Sequence, residues 1–154
     1  IPKDYLKDQQ NYIIKNWLNL PKGKETVSIS TTPDGISQDE TTIIEVKCSM
    51  RDKYEQFNKK WLPQVYGQQH ILSCLGKKIE KTYLINYTPT VCRIWQIDYN
   101  QNFINYLIEN LSEFAECLLK GKANGLAEKP EQFKGNIDES IKLIKEYNYG
   151  VKNE

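Results

Sequence analysis

The stretch from Thr41 to Cys48 constrains the fold more than any other part of the chain. Ile43, Ile44 and Val46 leave few polar positions in it. A strand with one wet face alternates apolar and polar side chains, so this one reads as buried on both faces near its centre. That demands a sheet with further layers packed on it. Glu45 and Lys47 interrupt the apolar run. Alternate residues of a strand point the same way, so these two share a face. Charges placed there are costly to bury unless they are paired or put to use.

The rest of the chain reads as elements able to surround that strand. Asp4 to Leu20 has Tyr5, Tyr12, Ile13, Trp17 and Leu20 at roughly helical spacing and ends at Pro21, so a helix is expected. Thr26 to Thr31 alternates and is β-branched, as strands are. Pro33-Asp34-Gly35 is a turn signal. Ser49 to Lys60 is polar, a loop with a helical stretch. Leu62 to Leu75 reads as a helix with Pro63 in its first turn and Gly76 closing it. Lys81–Tyr87 and Val91–Tyr99 read as a hairpin across Thr88-Pro89-Thr90. Asn102 to Lys120 is an amphipathic helix with Phe103, Leu107, Leu111, Phe114 and Leu118 on one face, stopped by Gly121. Gly121 to Asn136 is a loop, and Ile137 to Tyr147 a last short helix. The order predicts one α/β (α+β) domain over 1–154, a mixed central β-sheet flanked by helices.

Composition excludes several classes. Lys and Arg number 21 against 20 Asp and Glu, so a uniformly basic nucleic-acid binder is not indicated. No apolar run approaches the ~18 residues of a membrane span. Cys48, Cys74, Cys92 and Cys117 form no C-x-x-C pair, and His70 is the only histidine, which argues against structural zinc. Reduced thiols in an intracellular protein, in cytoplasm or nucleus, are the expectation. The chain starts at Ile1 without a signal-peptide pattern and reads as a fragment, a processed product or a trimmed chain.

The turn and the strand together place Asp34 and Glu45 where two carboxylates can hold a hard divalent cation through oxygen. Lys47 adds an ammonium able to orient a water or stabilise phosphate charge. Taken alone, Pro-Asp-Gly is a turn and Glu-Val-Lys a strand end with an ion pair. Gln64 and Gln68, four apart, share a helix face at the polar end of a stripe that continues to Ile71 and Leu75. They suit hydrogen bonding to an attacking water, a carboxylate or a phosphate, or to nearby backbone. His70 reads as a partly buried structural residue. Arg51, Lys53, Lys59, Lys60, Lys77, Lys78 and Lys81 flank the region as a solvated face that could also neutralise phosphates. No Walker-type glycine loop is present.

Thr32-Pro33-Asp34-Gly35-Ile36, then Ile44-Glu45-Val46-Lys47-Cys48, then Leu62-Pro63-Gln64-Val65-Tyr66-Gly67-Gln68 resemble the PD-(D/E)xK nucleases. Within them they resemble the YqaJ/lambda-exonuclease branch of viral recombination exonucleases. The hairpin with Trp95 and the helix after it are similar too, so the resemblance spans roughly Val27 to Lys120. It implies a restriction-endonuclease-like core. It implies that Asp34, Glu45 and the Val46 carbonyl ligate Mg²⁺ or Mn²⁺, that Lys47 positions the attacking water, and that Gln64 orients groups at the site. Gln68, Arg51, Lys53 and Lys60 would contact nucleic acid. The implied reaction is hydrolysis of phosphodiesters in linear duplex DNA, commonly 5′→3′, in recombination or repair. A single-strand annealing protein and a homo-oligomer are the implied partners. An endonuclease on the same core, or a non-catalytic nucleic-acid-binding domain, are the alternatives. The branch also supplies an acid from a helix before the Pro-Asp-Gly strand. Asp4 and Asp8 lie on the expected first helix but match no motif, and a position before Ile1 is the alternative. Ser49 stands where the branch has proline, and Gln68 where RecB-type relatives carry tyrosine.

Overall fold

A computed structural model of the chain describes residues 5–19, 26–50, 56–119 and 131–149. Their centre is a five-stranded mixed sheet of β3 (Gly35–Ile36), β4 (Thr42–Cys48), β5 (Lys81–Tyr87), β6 (Val91–Asp98) and β7 (Ile141–Asn148), paired in that order. Only β4 and β5 run parallel. A parallel pair needs a crossover, and α1 (Leu62–Cys74) supplies it. β1 (Tyr12–Asn19) and β2 (Thr26–Thr31) form a separate antiparallel ribbon against α1.

The expected central strand forms, and Thr42 to Glu45 are all buried. Burial on both faces stops there, because Val46 is 42% exposed where its neighbour β3 has already ended. Gly35 lets that edge close up. A Cβ on it would lie 3.2 Å from Leu6 and 3.3 Å from the Ile44 Cβ.

α1 is buried nearly all round and divides the core. Leu62, Val65 and Tyr66 join Leu84, Trp95, Ile97 and, from α2 (Gln101–Leu119), Phe103, Ile104 and Leu107. Ile71 and Leu72 join Tyr12, Ile36, Ile43 and Ile79. At its end Gly76 takes φ +87°, and the Gly76 and Lys77 N–H groups return to Ser73 O and Leu72 O, a glycine-closed helix end. On α2 the expected apolar face is packed at Phe103 and Leu107, but Phe114 and Leu118 are exposed.

Two expected helices are strands. In place of a helix over Asp4–Leu20, residues 5–11 run in non-helical backbone and Tyr12–Asn19 is β1. The aromatic and β-branched run Tyr12-Ile13-Ile14 favours a strand, and its alternation buries Tyr12 and exposes Ile13. Asn16 sits at φ 57°, where the register with β2 shifts, so the apolar spacing that looked helical reflects a bulge. Before it, Lys7 N–H donates to Ile36 O and Gln38 N–H to Tyr5 O, so residues 5–7 run along β3. In place of a helix over Ile137–Tyr147, a short 3₁₀ turn at Asp138–Ser140 leads into β7. β7 is exposed at seven of its eight residues, so burial gave it little pattern, and pairing with the free edge of β6 decides its form. Of the Ser49–Lys60 loop, residues 51–55 lie outside the described residues, and the helical stretch found is a 3₁₀ turn at Lys59–Trp61. Residues 120–130 of the Gly121–Asn136 loop also lie outside them.

Candidate metal and phosphate site

Asp34 is placed by the antiparallel pairing of β3 with β4. Gly35 faces Ile44, so one step back along the register sets Asp34 beside Glu45. Asp34 Oδ2 accepts the Val46 N–H at 2.9 Å. Thr42 O accepts from Ser37 N–H on the same side of β4. A strand residue's N–H and C=O point to one side, so the Val46 carbonyl also faces the Asp34 edge.

Glu45 and Lys47 share the face of β4 that α1 covers. Their neighbours on β5 at the same level are Leu84 and Asn86. The Glu45 side chain is 4% exposed and that of Lys47 26%, with Lys47 Nζ 3.3 Å from Glu45 Oε2. α1 meets this pair rung for rung. Gln64 Oε1 accepts from Lys47 Nζ at 2.5 Å, and Gln68 Nε2 donates to Glu45 Oε1 at 3.3 Å. Four helical residues rise about 6 Å and two strand residues about 6.6 Å. An i, i+4 pair on the crossover helix therefore matches an i, i+2 pair on the strand beneath.

Burial pushes the Glu45 carboxyl above its ordinary value, and the nearby Asp34 charge adds to the rise, while bonds from Gln68 and Lys47 oppose it. Two carboxylates that repel one another at a strand edge, with an all-oxygen donor set, fit a hard divalent cation. Among the described residues no three His, Cys, Asp or Glu side chains group closely enough to hold a metal. A cation here would take Asp34, Glu45 and the Val46 carbonyl, with water or phosphate oxygens for the rest. Mg²⁺ commonly keeps several waters in this way.

Asp8 does not join the cluster; it lines an open cleft of about 550 Å³ with Lys7, Gln9 and Gln38. Asp4 lies outside the described residues, as do Arg51 and Lys53. Lys60 is exposed just before α1. Of the other flanking lysines, Lys59 pairs with Asp138, Lys77 with Glu40, and Lys81 lies over the Tyr83 ring. Gln68 requires a correction. At 2% exposure it is a buried partner of Glu45, out of reach of nucleic acid. Its helical spacing from Gln64 was visible in the sequence, but the sense in which α1 crosses β4 was not. His70 is half-buried, 3.6 Å from Cys74 Sγ through Nε2, and burial lowers its pKa. Sequence reasoning also passed over Asn86, level with Lys47, 2% exposed and with its Oδ1 unpartnered.

No family model matches the chain, and no curated protein matches it. The crystal structure of SSO0001 is similar in fold, with a TM-score of 0.56 at 18% identity over 84% of this chain. The chain spans 55% of that structure's chain. This likeness supports the mixed sheet flanked by helices, and at such identity it shows the fold alone. No helix among the described residues is long and apolar enough to cross a membrane.

Proposed function

We propose that the chain is a divalent-cation-dependent nuclease of the PD-(D/E)xK type that hydrolyses DNA phosphodiesters, acting from the ends of linear duplex. The observation that carries this reading is that the β3–β4 register and the Asp34–Val46 hydrogen bond set the Asp34 charge near enough to Glu45 to raise its pKa, with the Lys47 ammonium 3.3 Å from Glu45 and held by Gln64. A core salt bridge would be served by one carboxylate and one cation. The second carboxylate costs free energy until a cation joins it.

The bound cation would supply charge to stabilise the phosphorane-like transition state and to acidify a water. Asp34 and Glu45 fix its place. Lys47 lies beside the carboxylate it serves, where its ammonium can donate to a water or a phosphate oxygen. Gln64 Oε1 accepts a hydrogen bond from it and so aims its other N–H groups. Exposed Lys60 stands near the start of the same helix, where a duplex backbone would meet it.

Digestion of linear and closed-circular duplex, with Mg²⁺ or with EDTA, tests this reading. Nucleotide release from linear DNA alone, lost with EDTA and in Lys47→Ala, is the expected result. Nicking of circles would replace the exonuclease with an endonuclease on the same site. Cleavage unaffected by EDTA or by Lys47→Ala would contradict the proposal.

A further inference from the structure

Gln68 and Gln69 are adjacent on α1, both buried, and in each the Oε1 has no partner. A buried acceptor left without a donor costs free energy, and an apolar residue of similar shape would avoid that cost. Gln69 has an evident structural use: its Nε2 donates to Thr82 Oγ1 at 2.9 Å and to Ile97 O at 3.2 Å, fastening helix to sheet. Gln68 fastens no such elements through backbone or hydroxyl. Its Nε2 goes to Glu45 Oε1, on the carboxylate whose other oxygen lies 3.3 Å from Lys47.

We propose that Gln68 is a positioning residue that fixes the rotation of the Glu45 carboxylate, so that it cannot turn both oxygens onto Lys47 and stays open to a divalent cation. The inference rests on the cation reading above and adds the residue that keeps its ligand in place. Without the amide, Glu45 is free to close on the neighbouring ammonium, and a cation must first break that pair. Groups behind a metal ligand act in this way, and removing them typically weakens binding about 10–100-fold.

The test is calorimetric titration of Mn²⁺ into the DNA-free protein, with melting temperatures measured alongside. Gln68→Leu and the unbranched Gln68→Met are compared with Gln69→Leu, which removes an equally buried amide one position along. Both Gln68 variants are expected to bind Mn²⁺ roughly 10–100-fold more weakly, while Gln69→Leu melts earlier and binds as the wild type does. Wild-type affinity in the Gln68 variants overturns the proposal. So does an equal loss in Gln69→Leu, which would mean that any damage to α1 has the same effect. A wild type that binds no Mn²⁺ removes the cation reading itself, and this inference with it.

Discussion

Glu45 carries a carboxylate that the fold keeps nine-tenths buried. Its pKa in the folded chain is raised, by burial first and by Asp34. In the unfolded chain it titrates near 4.5. Below that pH both states hold the proton and the group is neutral in its effect on stability. As pH rises past 4.5 and through the raised folded value, the unfolded chain gives up the proton first, and stability is lost. The metal-free Glu45→Gln variant should therefore melt above the wild type at pH 7, with the gap closing as pH falls below 4.5. Thermal melts across pH in EDTA check this. A Glu45→Gln variant that melts lower at pH 7 would mean that the Lys47 and Gln68 bonds outweigh the cost of burial.

At the scale of elements, α1 carries both halves of the core and the two amides of the site. Leu72 is fully buried in the cluster with Ile43 and Tyr12, and Leu72→Ala should cost about 2–5 kcal/mol in denaturant unfolding. Gly76→Ala should cost about 1–2 kcal/mol, since φ +87° is left-handed backbone with open space around it, so strain alone acts. β4, α1 and the β5–β6 hairpin were legible in the sequence because apolar patterning and punctuation agreed. Pro63 and Gly76 mark the ends of α1, and Thr88-Pro89-Thr90 marks the hairpin turn. β1 and β7 were not legible. A bulge at Asn16 gave β1 a helix-like spacing, and β7 takes its form from an edge it meets only in three dimensions. The Asp34, Glu45 and Lys47 cluster was readable because a turn and a strand lie close in sequence. That Gln68 could bond a carboxylate was readable too, but that the carboxylate is Glu45 and that the amide is buried were not, because both depend on how the helix crosses the strand.

On the scale of the whole molecule, the site lies where β3 ends, on the face of the sheet that α1 covers, between the two halves of the core. A cation that binds only the folded chain adds stability by mass action, about 2.7 kcal/mol at a hundredfold excess over its dissociation constant. Mn²⁺ should therefore raise the wild-type melting temperature and leave that of Glu45→Ala unmoved. A rise of the same size in both would place the ion elsewhere. The most direct test is anomalous diffraction from crystals soaked in Mn²⁺. The account predicts a peak between the Asp34 and Glu45 carboxylates, roughly 2 Å from an oxygen of each and near the Val46 carbonyl. Ordered Asp34 and Glu45 side chains with no peak between them would contradict it.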